Sequence, residues 1–295
     1  MRDTLPNEVP LLEKAGALLE NYDVVFCDVW GVVHNGVRPY ATACEALTRF
    51  RDAGGAVVLV TNSPTPAKET GDFIATHIGV PRNAWDAIIT SGDLTRGFIT
   101  QHALSHIHHI GPPRDLPVFK GLGVERVSLE RAKGIVCTGL NDDIAETGES
   151  YRPVLEIARE RRLPLVCGNP DLVVEVDGVY YPCAGAVAVL YESLGGEVFW
   201  AGKPHEPVYA GAHRLAEERL GRSVDRSRIL GIGDALRTDM AGAAGYGIDG
   251  LLIARGIHRD DLMPDDAAID ASKLSDLLAT TDRCKPVAAM PTLVW

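Results

Sequence analysis

Several things are missing from this 295-residue chain, and each absence removes a class of protein. No apolar run approaches the ~20 residues that a membrane-spanning helix requires, so no membrane partner is expected. The opening Met1-Arg2-Asp3-Thr4-Leu5-Pro6 lacks the apolar stretch of a secretory signal. None of the six cysteines belongs to a Cys-x-x-Cys pair, and Cys27, Cys137 and Cys167 lie in or at the ends of apolar runs. That is the pattern of buried, reduced thiols, and it predicts a cytoplasmic protein. Cationic charge is also short. The 29 Lys and Arg stand against 40 Asp and Glu, a formal net charge of −11. Such a field argues against a nucleic-acid partner, and an anionic substrate would have to be received by a local cation or a metal.

The most telling absence concerns one residue. In Val24-Val25-Phe26-Cys27-Asp28-Val29-Trp30-Gly31-Val32 an apolar run ends at an aspartate where the strand should stop, and a glycine follows closely. A carboxylate placed there stands at the carboxyl end of a buried parallel strand, where open α/β sheets bind their ligands. It can serve as nucleophile, metal ligand or both. Two residues later, where a second acid would complete a pair for proton transfer, the chain carries Trp30.

What is present reads as α/β. The length suggests two domains or one domain with a large insertion, and 46 % hydrophobic with 23 % charged residues is ordinary globular composition. Residues 8–20 carry leucines at helical spacing, a lead-in helix. Strands follow at 24–27, 56–61 and 87–90, with helices over 41–53 and 67–78 between them, a β-α-β-α-β pattern that predicts a parallel sheet. After residue 100 the pattern loosens into short strands and loops. It resumes with strands at 134–139 and 163–167 around a helix over 151–162, and a hairpin of 173–176 with 179–181 turning at Asp177-Gly178. Further on come a helix over 184–194, a strand at 198–200, a helix over 206–220, a strand ending at Asp234 and a last strand at 250–254. His106, His108 and His109 read as a strand with polar residues facing solvent. The apolar tail 287–295 is expected to cover the core or join a subunit interface, so a homodimer is compatible with the sequence.

Four separated elements meet at the expected carboxyl edge of one sheet. They are Asp28, then Thr61-Asn62-Ser63, then Lys203 in Gly202-Lys203-Pro204, then Gly233-Asp234 with Asp239 five residues on. Phosphoryl transfer to an aspartate needs a nucleophilic carboxylate, a hydroxyl and amides for the phosphate oxygens, a cation, and a metal held by further acids. Asp28, Thr61, Lys203 and the pair Asp234 and Asp239 supply these in order. Hard oxygen ligands, few in number, suit Mg²⁺.

These runs, above all Gly233-Asp234-Ala235-Leu236-Arg237-Thr238-Asp239, resemble the four motifs of the haloacid dehalogenase superfamily, most closely its class IIA phosphatases. Asn169-Pro170-Asp171 with Tyr181-Pro182 resembles the segment leading from that class's cap back to its core. The resemblance covers roughly residues 22–260. It implies a doubly wound, Rossmann-like core of residues 1–92 and 183–295 and an inserted α/β cap of residues 93–182 that closes over the substrate. The 142 residues from Thr61 to Lys203 leave room for one. It further implies a phosphatase of small phosphorylated metabolites such as sugar phosphates, working through an aspartyl-phosphate on Asp28. Thr61, Asn62 and Ser63 would hold the phosphoryl group and Lys203 would neutralise its charge. Mg²⁺ would be bound by Asp28, the backbone carbonyl of Trp30 and Asp234, with Asp239 behind them. Asn169, Asp171 and, at the mouth of the site, His34 are candidate substrate contacts.

The departure is Trp30, because the family's phosphatases carry an aspartate there that protonates the leaving oxygen and activates water. Tryptophan keeps the carbonyl and loses the proton transfer, a step worth ~10²–10⁴ in rate. Two alternatives follow from it: a weakly active or non-catalytic binder of phosphorylated ligands, and a metal-independent 2-haloacid dehalogenase.

Overall fold

The computed structural model describes residues 9–176, 179–264, 268–281 and 285–295. The strands in chain order are β1 (Val24–Cys27), β2 (Ala56–Thr61), β3 (Ala87–Thr90), β4 (His106–Ile110), β5 (Glu125–Arg126), β6 (Gly134–Cys137) and β7 (Leu165–Cys167). They continue as β8 (Val173–Val176), β9 (Val179–Pro182), β10 (Val198–Trp200), β11 (Ile229–Gly233), β12 (Asp249–Ile253) and β13 (Ala288–Met290). The α/β class holds: one sheet runs β13-β12-β11-β1-β2-β3 and a second runs β10-β7-β6-β4-β5, with β8 and β9 as a separate antiparallel pair.

By compactness the chain divides into Met1–Val60, Phe73–Ile88 and Tyr209–Trp295 as one unit, and Thr61–Asp72 and Ile89–Val208 as the other. The sequence reading placed the return to the first domain at residue 183. In the structure β10 pairs with β7, Phe199 opposite Val166, as the edge strand of the second sheet, and Val187 and Tyr191 of the helix Ala184–Ser193 pack in the same core as Leu165 and Cys167 of β7. A three-residue strand after a helix carries no mark of which sheet it will join.

The first unit's order explains where its chemistry lies. From β1 the chain builds outward on one side through β2 and β3, and β11, β12 and β13 occupy the other, so the winding reverses between β1 and β11. Both strands are buried throughout, which is why their sequences are continuous apolar runs rather than alternating ones. Val25, Cys27, Leu59, Ile232 and Leu251 pack into the same core as Leu47 and Phe50 of the helix Ala41–Asp52. Burying each such side chain contributes roughly 1.5–3 kcal/mol. In the second unit Ile135, Cys137, Leu165 and Cys167 pack against Leu155 and Tyr191.

At the ends, one expectation is corrected and one is extended. The lead-in helix is one turn, Gly16–Leu19, because the backbone before it is committed elsewhere. Leu12 N–H donates to the Ala289 carbonyl at 2.8 Å and Ala289 N–H donates to the Pro10 carbonyl at 2.9 Å. The start of that expected helix lies outside the described residues, as does the hairpin turn at Asp177-Gly178. The tail does cover the core, with Leu293 fully buried, but it also supplies a sixth strand, β13, parallel to β12. Ala288-Ala289-Met290 has no β-branched or aromatic residue to announce it.

Candidate active site

The register of β1 on β11 sets the site. Cys27 lies opposite Ile232, and Asp28 N–H donates to the Ile232 carbonyl at 2.8 Å. Asp28 therefore stands beside the end of β11, which runs directly into Asp234. This is the crevice outside the carboxyl ends of two strands where the winding reverses, the general ligand position in open α/β sheets. After β11 the chain makes a short π-type turn, Leu236–Met240. Within it Asp239 Oδ2 accepts the Ala235 N–H at 3.1 Å, which turns its carboxylate back toward the strand end. Asp234 Oδ2 accepts the Ile257 N–H at 2.7 Å.

The three carboxylates of Asp28, Asp234 and Asp239 are 8 %, 6 % and 6 % exposed, and each offers an oxygen within 4.8 Å of the others. Two carboxylate charges that close repel by about 3 kcal/mol or more at an effective dielectric constant of ~20. A divalent cation reverses the sign of that cost. The donors are all hard oxygens, the set that suits Mg²⁺ or Ca²⁺ rather than a soft metal, so the residues fit the metal that the sequence implies. Space around Asp234 is defined by glycine: a Cβ on Gly31 would lie 2.2 Å from Asp234 Oδ2, and Gly31 has φ +81°. A side chain at that position would both strain the backbone and displace the carboxylate.

Trp30 is half-buried and folded onto its own loop. Its indole lies where a Gly36 side chain would be, 2.3 Å from the position of a Cβ there. The ring meets the His34 imidazole edge to face with centroids 5.2 Å apart. His34 is 3 % exposed, and its Nδ1 accepts the Gly36 N–H at 2.9 Å. Burial pulls its pKa down to about 4, so at neutral pH it is an uncharged loop residue bonded to backbone.

The remaining sequence-derived residues gather in the second unit, reached through the last residue of β2. Thr61 Oγ1 accepts the Ser63 N–H at 3.2 Å. Asn62 is 3 % exposed, and its side chain meets Lys203 and Asp171: Lys203 N–H donates to Oδ1 at 2.8 Å, while Nδ2 donates to the Lys203 carbonyl at 3.2 Å and to Asp171 Oδ1 at 3.0 Å. Asn169 accepts the Asp171 N–H at 3.2 Å. Asp28, Asp234 and Asp239 are thus brought together in one unit, and Asn62, Lys203, Asn169 and Asp171 in the other.

Sequence reasoning overlooked Ser91, whose Oγ reaches Asn62 Oδ1 at 3.4 Å, and Gly256, where a Cβ would lie 1.8 Å from Asp234 Oδ2. The second was findable, since Gly256 follows the end of β12 as Gly31 follows the end of β1. The histidines of β4 form no metal cluster among the described residues; His109 Nε2 instead meets Thr138 Oγ1 at 2.9 Å.

A family model described as haloacid dehalogenase-like hydrolase matches residues 25–125, and one described as HAD-hydrolase-like matches residues 200–279. A solved haloacid dehalogenase-like hydrolase from Brucella suis 1330 is 45 % identical, with a TM-score of 0.84 over 96 % of this chain and 100 % of that one. The chain belongs to the haloacid dehalogenase-like hydrolases. Among curated relatives it is similar to the 5'-nucleotidase YutF of Bacillus subtilis (strain 168), 24 % identical over 84 % of this chain and 93 % of that protein. It is also similar to the ribonucleotide monophosphatase NagD of Escherichia coli (strain K12), 25 % identical over 80 % and 89 %.

Proposed function

We propose that this chain is a Mg²⁺-dependent hydrolase of a small phosphomonoester, of the sugar-phosphate or nucleoside-monophosphate kind, acting in the cytoplasm through an aspartyl-phosphate on Asp28. The observation that carries the reading is the buried trio of Asp28, Asp234 and Asp239 at the winding reversal of the sheet, with oxygens within 4.8 Å of one another. Asp28, Asp234 and the Trp30 carbonyl would hold the ion, which when bound offsets the charge on the phosphoryl group and its attacking carboxylate.

The chain's own residues do the rest. Asp28 attacks phosphorus and the P–O bond to the leaving group breaks. Water then attacks the same phosphorus, releasing phosphate and restoring the carboxylate. Thr61 accepts with its oxygen from Ser63 N–H, which keeps its hydroxyl hydrogen for a phosphate oxygen. Lys203 supplies the fixed cation. The Asn62 side chain is committed to Lys203 and Asp171, so its contribution to a phosphate is its main chain. Asp239 is bonded to the turn and steadies the arrangement from behind. Trp30 offers no proton, so the leaving oxygen departs without help from position 30, and the reaction favours weakly basic leaving groups.

A second reading, a binder of phosphorylated ligands with little turnover, draws on the indole of Trp30 held by Gly36 and His34. A metal-independent dehalogenase has no use for three converging acids, which weighs against that alternative. A panel of phosphomonoesters with and without Mg²⁺, run beside Asp28→Asn, separates the readings. Mg²⁺-dependent phosphate release that the substitution abolishes supports the enzyme; ligand binding without turnover on the whole panel supports the binder.

A further inference from the structure

The side-chain amide of Asn62 acts on the Lys203 loop as a peptide group would. It takes the Lys203 N–H on Oδ1 at 2.8 Å and gives a hydrogen to the Lys203 carbonyl at 3.2 Å. Ser91 Oγ adds a second contact on Oδ1 at 3.4 Å, and Asp171 Oδ1 takes a hydrogen of Nδ2 at 3.0 Å. A primary amide has two donor hydrogens and two acceptor lone pairs, so all four are in use in a residue that is 3 % exposed. The neighbouring Gly202 lies so close that a Cβ there would sit 2.5 Å from Asn62 Oδ1 and 2.2 Å from Ser91 Oγ.

Two of these partners dictate which way the amide faces. Lys203 N–H can be met only by oxygen, and the Asp171 carboxylate only by the NH₂ group. Turned over, the amide would confront Lys203 N–H with a donor and Asp171 with an acceptor. Asp171 thus excludes the wrong orientation of a group 109 residues away in sequence. The consequence falls on Lys203, a buried residue whose long side chain is carried on the main chain that this amide holds. Displacement of about 1 Å at a group that must meet a phosphoryl oxygen is enough to lose ~10²-fold in rate.

We propose that Asp171 is a positioning residue: it locks the Asn62 amide, and through that amide the main chain of Lys203, rather than contacting the substrate. This rests on the reading that Lys203 serves the phosphoryl group. The test uses the full chain with Mg²⁺, hydrolysis of p-nitrophenyl phosphate, and calorimetric binding of inorganic phosphate. Asp171→Ala is expected to lower kcat/KM by about ten- to a hundredfold, and Asp171→Asn, which can still present an acceptor oxygen, to recover most of it. In a Lys203→Met background, Asp171→Ala should change turnover and phosphate affinity by less than about twofold, because the group it positions is gone.

Equal losses with and without Lys203 would overturn the proposal. So would an Asp171→Asn variant as impaired as Asp171→Ala, the mark of a carboxylate that meets the substrate. If Asp171→Ala does not fold, Asn62→Asp sets two carboxylates face to face, and adding Asp171→Asn must restore activity by restoring a donor between them; no recovery refutes the lock. A wild-type protein that neither binds phosphate nor turns over would instead refute the phosphatase reading itself, whereas an active wild type with additive losses refutes only the role of Asp171.

Discussion

Replacing Trp30 with aspartate separates what the indole contributes to the fold from what it withholds from the chemistry. The half-buried ring packs on Gly36 and against His34. Complete removal of a buried tryptophan costs about 3–5 kcal/mol, so truncating this one should cost roughly 2 kcal/mol of stability. A new carboxylate two residues from Asp28, whose own oxygens lie within 4.8 Å of Asp234 and Asp239, adds about 3 kcal/mol for each of these acids that it approaches to ~5 Å without metal. The metal-free variant should therefore melt below wild type, and Mg²⁺ should stabilise it more than it stabilises wild type.

Turnover should move the opposite way. A positioned acid–base group is worth ~10²–10⁴ in rate, or about 3–5 kcal/mol in the barrier. The gain should be largest for alkyl phosphates, whose leaving oxygen most needs a proton, and smallest for p-nitrophenyl phosphate. The assay is kcat/KM for matched alkyl and aryl phosphates, with melting curves in Mg²⁺ and in EDTA. A folded Trp30→Asp protein that binds phosphate yet is no faster on any alkyl phosphate would refute the claim that this position lacks only a proton donor.

Other outcomes follow from the same geometry. Mg²⁺ at about 100 times its Kd should stabilise the protein by about 2.7 kcal/mol, a rise of about 5 °C in Tm; Asp234→Asn should abolish the shift, and an unchanged shift would remove Asp234 from the ligand set. His34 has a folded pKa of about 4, below the ~6.5 of an unfolded chain. The unfolded state therefore binds the extra proton first as pH falls, and stability present at pH 7 is lost between about pH 6.5 and pH 4, by roughly 3 kcal/mol in all. Denaturant titrations across that range should show the slope and His34→Asn should flatten it; an imidazole resonance for His34 titrating near pH 6.5 would contradict the burial argument.

The sequence made some of this legible for a physical reason. A strand buried on both faces writes itself as an unbroken apolar run, so β1 and β11 and the aspartates that end them could be read directly, and their shared edge followed from the alternation of strands with helices. The parts that could not be read depend on partners distant in the chain. The Asn62 amide meets Lys203 141 residues away, and no local pattern in Thr61-Asn62-Ser63 announces that its side chain is fully committed. The strand β13 is built from Ala288-Ala289-Met290, small and flexible residues that extend only because β12 offers them an edge. The sheet that β10 joins is decided by packing against β7. His34 reads in the sequence as a candidate substrate contact, and its burial and its bond to the Gly36 N–H belong to the folded loop.

The central claim is that Asp28 is the nucleophile of a metal-dependent phosphoryl transfer. Mass spectrometry of the protein quenched in acid during turnover of p-nitrophenyl phosphate with Mg²⁺ tests it most directly. The second step lacks the acid–base group that position 30 would hold, so the covalent intermediate should accumulate. A phosphoryl adduct on the peptide carrying Asp28, labile to hydroxylamine and missing in Asp28→Asn and in EDTA, is the predicted result. Phosphate release that continues in Asp28→Asn, or an adduct on any other residue, would contradict it.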